Sequence, residues 1–283
     1  MGYKFLSGTC LVSNIYETFT GLLAAAGWQN ISSKPATDYE VWYSSGGQGN
    51  KRLIIQLRKD SNSNVGYRFI ADYTPGAAGG GGTIQRTTAG WRSCRFFSNA
   101  FASSYPQSNQ VSYKYHANKD RLIFYCEATY LDVTMYNGVI YLGSPDVMYH
   151  NEPGSKSLCL LAGGNYSYSN YYGDISDALD GRITSSDTIY CSPTYIGGSY
   201  TDITKSPSPQ GNYVFTPHYV KDGNNDLRGK LTGLYIIYAK GALHGDIVKI
   251  GTRSFYLAMM TGSYGFFRTS TVAEYITFLA FEV

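Results

Sequence analysis

The stretch LRGKLTGLYIIYAKGALHGDIVKIGTRSFYLAMM, from Leu227 to Met260, alternates strand-like runs with glycine breaks and sets the fold class. Leu231–Ala239 is a run of Leu, Tyr and Ile, side chains that suit a pleated and half-buried surface. Gly241 and the pair His244-Gly245 interrupt it. Ile247–Ile250 and Phe255–Met260 then flank Gly251-Thr252-Arg253-Ser254, a connection of hairpin size. Three strands with turns between them, and no catalytic pattern, predict a sheet made to pack against something.

Strands dominate the rest of the chain as well. Glu40–Tyr43 and Arg52–Arg58 flank the glycine-rich loop Ser44–Asn50, and Tyr67–Asp72 follows. Leu122–Ala128, Thr134–Tyr136 and Val139–Leu142 continue the pattern, and Asn137-Gly138 predicts a type I′ turn because both residues tolerate positive φ. Ser157–Ala162, Thr188–Cys191 and Tyr275–Glu282 complete the set. The helix signal is at Val12–Ala26, where Val12, Ile15, Tyr16, Phe19, Leu22, Leu23 and Ala26 fall on one 3.6-residue stripe. Asn14 and Glu17 have capping-box spacing, and Gly27 suits the C′ position. A single narrow stripe predicts a helix laid on a sheet.

Two glycine-rich loops, Ser44–Asn50 and Pro75–Gly82, lack the Gly-Lys-Ser/Thr ending of a phosphate-binding loop and read as mobile connections. The segment 144–210 is rich in Pro and Gly. The expected architecture is mainly β: one or two antiparallel β-sandwich or barrel-like units with a short N-terminal helix. Residues 1–145 form the helix and first β unit, and 146–283 the loop-rich segment and second β unit, unless all of it is one domain.

Composition narrows the function classes. Of 283 residues, 15% are charged, against the ~25% usual in soluble domains, and 28 are Tyr. Tyrosine is apolar on its ring and polar at its tip, so this composition suits a component buried in an assembly. Net charge is +3, unevenly spread: residues 1–145 carry 13 Lys/Arg against 8 Asp/Glu, and residues 146–283 carry 10 against 12. The basic half has no Lys/Arg cluster, so direct nucleic-acid binding is not expected. Five cysteines without a CxxC predict free thiols in a reducing compartment. No secretory pattern is seen at the N-terminus, and no run approaches the ~18 apolar residues that span a membrane.

Patterns for catalysis or metal binding are sparse. His116, His150, His218 and His244 are dispersed, with no HxH or HExxH. Asp174, Asp177 and Asp180 in GDISDALDG are the weak metal candidates. The same residues read more simply as a one-turn helix with Asp capping, stopped by Gly181. There is no GxSxG elbow. No cofactor and no enzymatic activity are expected. Tyr166, Tyr168, Tyr171 and Tyr172 in GGNYSYSNYYGD, with Tyr195 and Tyr200, form either a stacking surface for sugars or the aromatic face of a strand docked on a neighbour.

Arg228, Gly229, Leu231, Gly233, Leu234, Tyr235, Gly245, Asp246, Val248, Ile250, Gly251, Tyr256 and Leu257 also carry a resemblance. Their order resembles the C-terminal segment of a group of virion structural proteins of tailed bacteriophages and prophages. Trp42–Arg58 and Arg121–Gly143 stand in the order that group shows, and the Gly27-Trp28 step after the helix is similar to its N-terminal pattern. The resemblance covers about a third of the chain. It implies a structural component of the virion, in several copies in the tail or head–tail neck, made in the host cytoplasm. Its partners would be other virion proteins and further copies of itself. The alternative expectation is a tail-tip protein that binds a host surface or glycan.

Overall fold

A computed structural model describes residues 4–32, 39–47, 53–61, 64–76, 82–87, 91–95, 107–130, 134–143, 146–147, 159–164, 174–175, 190–192, 215–221, 227–239, 242–259 and 276–283. In chain order, β1 (Leu6–Leu11) leads through a 3-10 turn, Val12–Asn14, into α1 (Ile15–Ala25). Then come β2 (Gln29–Asn30), β3 (Glu40–Ser44), β4 (Leu53–Ser61), β5 (Asn64–Thr74), β6 (Thr83–Thr87) and β7 (Arg92–Arg95). The middle of the chain supplies β8 (Gln110–Asn118), β9 (Arg121–Tyr130), β10 (Thr134–Gly143), β11 (Asp146–Val147), β12 (Cys159–Gly164) and β13 (Asp174–Ile175). Last are β14 (Tyr190–Ser192), β15 (Thr216–Lys221), β16 (Leu227–Ala239), β17 (Ile247–Ile250), β18 (Arg253–Met259) and β19 (Ile276–Glu282). The protein is mainly β, its described strands pair antiparallel, and the α-helix among the described residues lies near the N-terminus, as the sequence predicts.

The strands form three sheets. The central one runs β1-β8-β9-β10-β12-β13. The N-terminal sheet runs β2-β3-β4-β5-β6, with β7 also on β5. The C-terminal sheet runs β14-β15-β16-β19-β18-β17, with β11 on β16. Strand β9 explains how they stack. Its residues Arg121 to Cys126 are all buried, although side chains alternate between faces along a strand. Leu122, Phe124, Cys126 and Ala128 share a core with α1 and with Trp42, Leu53, Ile55, Leu57, Val65 and Tyr67 of the N-terminal sheet. Ile123 and Tyr125 point the other way, to Leu231, Leu234, Tyr256, Ala258, Leu279 and Phe281 of the C-terminal sheet. Two sandwich-like cores therefore share the central sheet, and this is why an antiparallel strand reads as a continuous apolar run.

Helix α1 covers the central sheet as its stripe predicts. Ile15, Tyr16, Phe19 and Leu23 are buried, and the Phe19 ring meets Phe124 edge-on at 6.0 Å. Gly27 adopts φ +89 in the C′ region. The expected capping box does not form: Asn14 makes no side-chain cap, and its Oδ1 accepts from Ser13 Oγ. Glu17 instead meets Lys59 Nζ at 2.8 Å, an exposed ion pair to β4 that draws the carboxylate away from the backbone.

Three other expectations change. Asn137-Gly138 is no turn: Thr134–Gly143 is one strand, paired with β9 from Thr134↔Tyr130 to Gly143↔Arg121. A turn at Asn137 would leave a three-residue strand, whereas continuing pairs ten residues with β9. The hairpin at Gly251 is tighter than expected, since Ile250 pairs with Arg253 and only Gly251-Thr252 turn. The start of the Ser44–Asn50 loop is docked rather than mobile. Ser44 Oγ donates to the Lys119 carbonyl at 2.6 Å, and Gly47 N–H donates to Asp120 Oδ1 at 2.9 Å.

The acceptors of that docking belong to the Asn118–Arg121 hairpin turn. Asn118 Oδ1 holds it by accepting the N–H groups of Asp120 and Arg121 at 2.8 and 2.9 Å. Trp28 Nε1 donates to the Asn118 carbonyl at 2.9 Å, tying the residue after Gly27 to the same turn. The expected boundary at 145 falls between β10 and β11, and strands from beyond it, β12 and β13, join the central sheet. Phe5 N–H donates to the Glu282 carbonyl at 2.9 Å, and the Phe5 and Phe281 rings lie 4.9 Å apart.

Candidate functional site

On β9, Arg121, Ile123, Tyr125 and Glu127 alternate with the residues facing α1, so they stand on the face turned to the C-terminal sheet. Ile123 and Tyr125 are wholly buried there, and a charged residue sits at each end of the row. Their partners come from far along the sequence.

Glu127 is the hub of one end. Its carboxylate accepts from Tyr125 Oη at 2.8 Å and from Tyr256 Oη at 3.0 Å, and His244 Nε2 lies 3.0 Å from Oε2. Lys114 Nζ from β8 stands 3.9 Å from Oε1 and 3.9 Å from the centre of the Tyr256 ring, a cation over an aromatic face. His244 is placed by a tied loop. Leu243 N–H donates to Asp246 Oδ2 at 2.8 Å, Gly245 N–H donates to the Leu257 carbonyl of β18 at 2.8 Å, and Leu257 N–H donates back to the Asp246 carbonyl at 2.9 Å.

The hydrogen positions follow from the acceptors. A carboxylate only accepts, so Nε2 of His244 carries the proton facing Glu127, and Tyr256, also 3.0 Å from that nitrogen, donates to Glu127. Burial alone would push the Glu127 carboxyl up; hydrogen bonds from His244 and Tyr125, with the charges of His244 and Lys114, outweigh it and hold the group below its ordinary value. Burial, reinforced by the neighbouring Glu127 charge, pushes the Tyr125 and Tyr256 hydroxyls up. Glu127 is therefore ionised and occupied by donors, and its two phenols stay protonated. Such an arrangement holds and orients; it supplies neither a ready base nor a nucleophile.

The other end is built alike. Arg121, 5% exposed at its side chain, places one Nη 3.2 Å from Asp146 Oδ1 and the other 3.4 Å from the Thr232 carbonyl. The Thr232 hydroxyl donates to Asp146 Oδ2. Between the two polar clasps β16 comes close. Gly233, at φ +92, lets Leu231 and Leu234 share one face, and a Cβ there would stand 3.2 Å from Ile123 Cδ1.

The tyrosines expected to bind, Tyr166, Tyr168, Tyr171, Tyr172, Tyr195 and Tyr200, lie outside the described residues, as do Asp177 and Asp180. Asp174 forms β13 with Ile175, a strand in place of the expected one-turn helix. Among the described residues no group of three or more His, Cys, Asp or Glu could hold a metal. No described helix is long and apolar enough to cross a membrane. Neither clasp is among the catalytic, metal or binding candidates read from the sequence. The available signal is the charge at each end of RLIFYCE, which a strand buried on both faces tolerates only with partners.

No protein-family model and no curated protein matches the chain.

Proposed function

We propose that this chain is a structural component of a tailed-bacteriophage virion, assembled in several copies in the tail or head–tail neck. The family resemblance at Leu227–Met260 supports the particle. One structural observation carries the assembly: apolar side chains stand open at the outer strands of two different sheets. On β1, Leu6 is 58% and Leu11 41% exposed; at β17, Leu243 is 69%, Ile247 51% and Ile250 43% exposed. Edge strands of free-standing proteins are normally blunted by charge, proline or cover, and β17 keeps only Lys249 for that purpose. Contact with neighbouring subunits would cover both edges, and symmetric repetition makes a modest contact sufficient. The two clasps fit the same reading, since they fix one sheet against another.

Gold-labelled antibody against the chain, read on purified particles by electron microscopy, tests the proposal. Label on the neck or tail tube is the expected result. Label at the distal tip would favour host recognition. Protein left in the soluble lysate, with no label on intact or disrupted particles, would overturn the virion reading.

A further inference from the structure

Strands β1 and β17 stand at the ends of their sheets, and among the described residues each is laddered to a single strand, β8 and β18. Hydrogen bonds fix which of their residues face the open side. Val12 N–H donates to the Asn109 carbonyl, and bonded pairs alternate along an antiparallel ladder. Leu6, Gly8 and Cys10 therefore bond to β8, while Ser7, Thr9 and Leu11 turn their N–H and C=O groups outward. Phe5 keeps the same phase, since its N–H leaves β8 for the Glu282 carbonyl. On β17, Leu257 N–H donates to the Asp246 carbonyl, so Val248 and Ile250 bond to β18, and Ile247 and Lys249 face outward.

Exposed apolar side chains accompany both rows of outward groups: Leu6 and Leu11 at β1, and Leu243, Ile247 and Ile250 at β17. Such an edge is a template for a further strand. Between copies of this chain three edge pairings exist. Placing β17 on β17 puts two Lys249 on one short ladder, and like charges across strands destabilise it. Placing β1 on β1 leaves Leu243, Ile247 and Ile250 open. Placing β1 on β17 opposes no like charges, because Leu6–Leu11 carries none, and one contact covers both apolar sets.

We propose that the occupant of each edge is a second copy of this chain, with β1 of one copy adding as a strand to β17 of the next. This rests on the reading of the protein as a multi-copy component and gives that assembly a direction. The contact is heterologous, so repetition closes a ring or runs on as a helix instead of ending at a two-fold dimer.

Proline tests the proposal, because at an outward position it removes the free N–H and spares the ladder on the other side. Thr9→Pro blocks the β1 edge and Lys249→Pro the β17 edge, and both positions are exposed. The full chain is purified and its mass followed by sedimentation velocity as concentration rises, with thermal melts matching the parent to show that variants fold. The parent should grow beyond a dimer. Each proline variant alone should stay monomeric, and an equimolar mixture of the two should form a dimer and stop, since the mixture keeps one intact edge of each kind. Leu11→Asp and Ile247→Asp leave every backbone group in place, and each should weaken association at least tenfold. A parent that is monomeric at millimolar concentration, a proline variant that dimerises alone, or a mixture that stays monomeric would each overturn the proposal. The virion reading fails separately: head-to-tail growth with no gold on particles would sink that reading and leave this one, and gold on the tail with a monomeric mixture would do the reverse.

Discussion

The two seams on either side of the central sheet are built from different materials. The seam against α1 and the N-terminal sheet is apolar along its length, from Val12 and Phe19 to Tyr67. The seam against the C-terminal sheet is apolar only in its middle, with a polar clasp at each end. Apolar packing is strong but tolerant of small shifts, whereas hydrogen-bonded charges demand one register. The first seam is therefore held by apolar burial along its whole length. The second aligns two sheets whose contacting strands lie far apart in sequence. Retention of charge there is a device of specificity, since buried ion pairs add little stability over apolar residues of the same shape.

Substitutions can pull the two seams apart. The largest effect belongs to the apolar seam: Phe124→Ala should cost about 3–5 kcal/mol by leaving a cavity against Phe19, read by urea denaturation. At the clasp, Glu127→Gln should cost about 2 kcal/mol, because charge-assisted hydrogen bonds from Tyr125, Tyr256 and His244 become neutral or mismatched. If Glu127→Gln proves as stable as the parent while Arg121→Ala does not, only one clasp aligns the sheets. Gly233→Ala follows at about 1 kcal/mol or somewhat more, from the left-handed backbone and the approach to Ile123.

The contrast also has a pH signature. The folded-state value of Glu127 lies below the ordinary 4.5. Its contribution is thus present in full above the unfolded value and is lost as pH falls through the folded one. Stability measured from neutral pH into this acid range should fall more steeply in the parent than in Glu127→Gln, whereas Phe124→Ala should keep the parent's slope. Smallest of all, Lys59→Ala should change stability by about 0.5 kcal/mol or less, since its pair with Glu17 is exposed.

Much of this fold is legible in the amino-acid sequence. Local periodicity marks α1, β3, β4, β16 and β19, because each has a face whose burial shows in the next few residues. Asn137-Gly138 misleads because turn propensity is local, while β10 is held straight by ten pairs with β9. The hairpin at Asn118–Arg121 leaves no such mark, since Asn-Lys-Asp-Arg has no glycine; it turns on the Asn118 side chain instead. The clasps escape sequence reading for another reason. His244 and Glu127 meet only after two sheets have stacked, and no spacing rule records that. Gln56 lies inside a strand that its sequence announces, but that its amide Nε2 has no acceptor among the described residues is visible only when its neighbours are in place.

The bond from Phe5 to Glu282, with Phe281 stacked on Phe5, joins positions near the two ends of the described chain. In kinetic terms it closes the largest loop among the described residues. The entropy of such closure grows only slowly with loop length, yet it must be met before the contact returns anything. Hairpins such as β8–β9 and β17–β18 close over two residues and can form first. The strap of residues around Phe5 thus belongs to the end of folding, set down on a C-terminal sheet whose last strand is already paired.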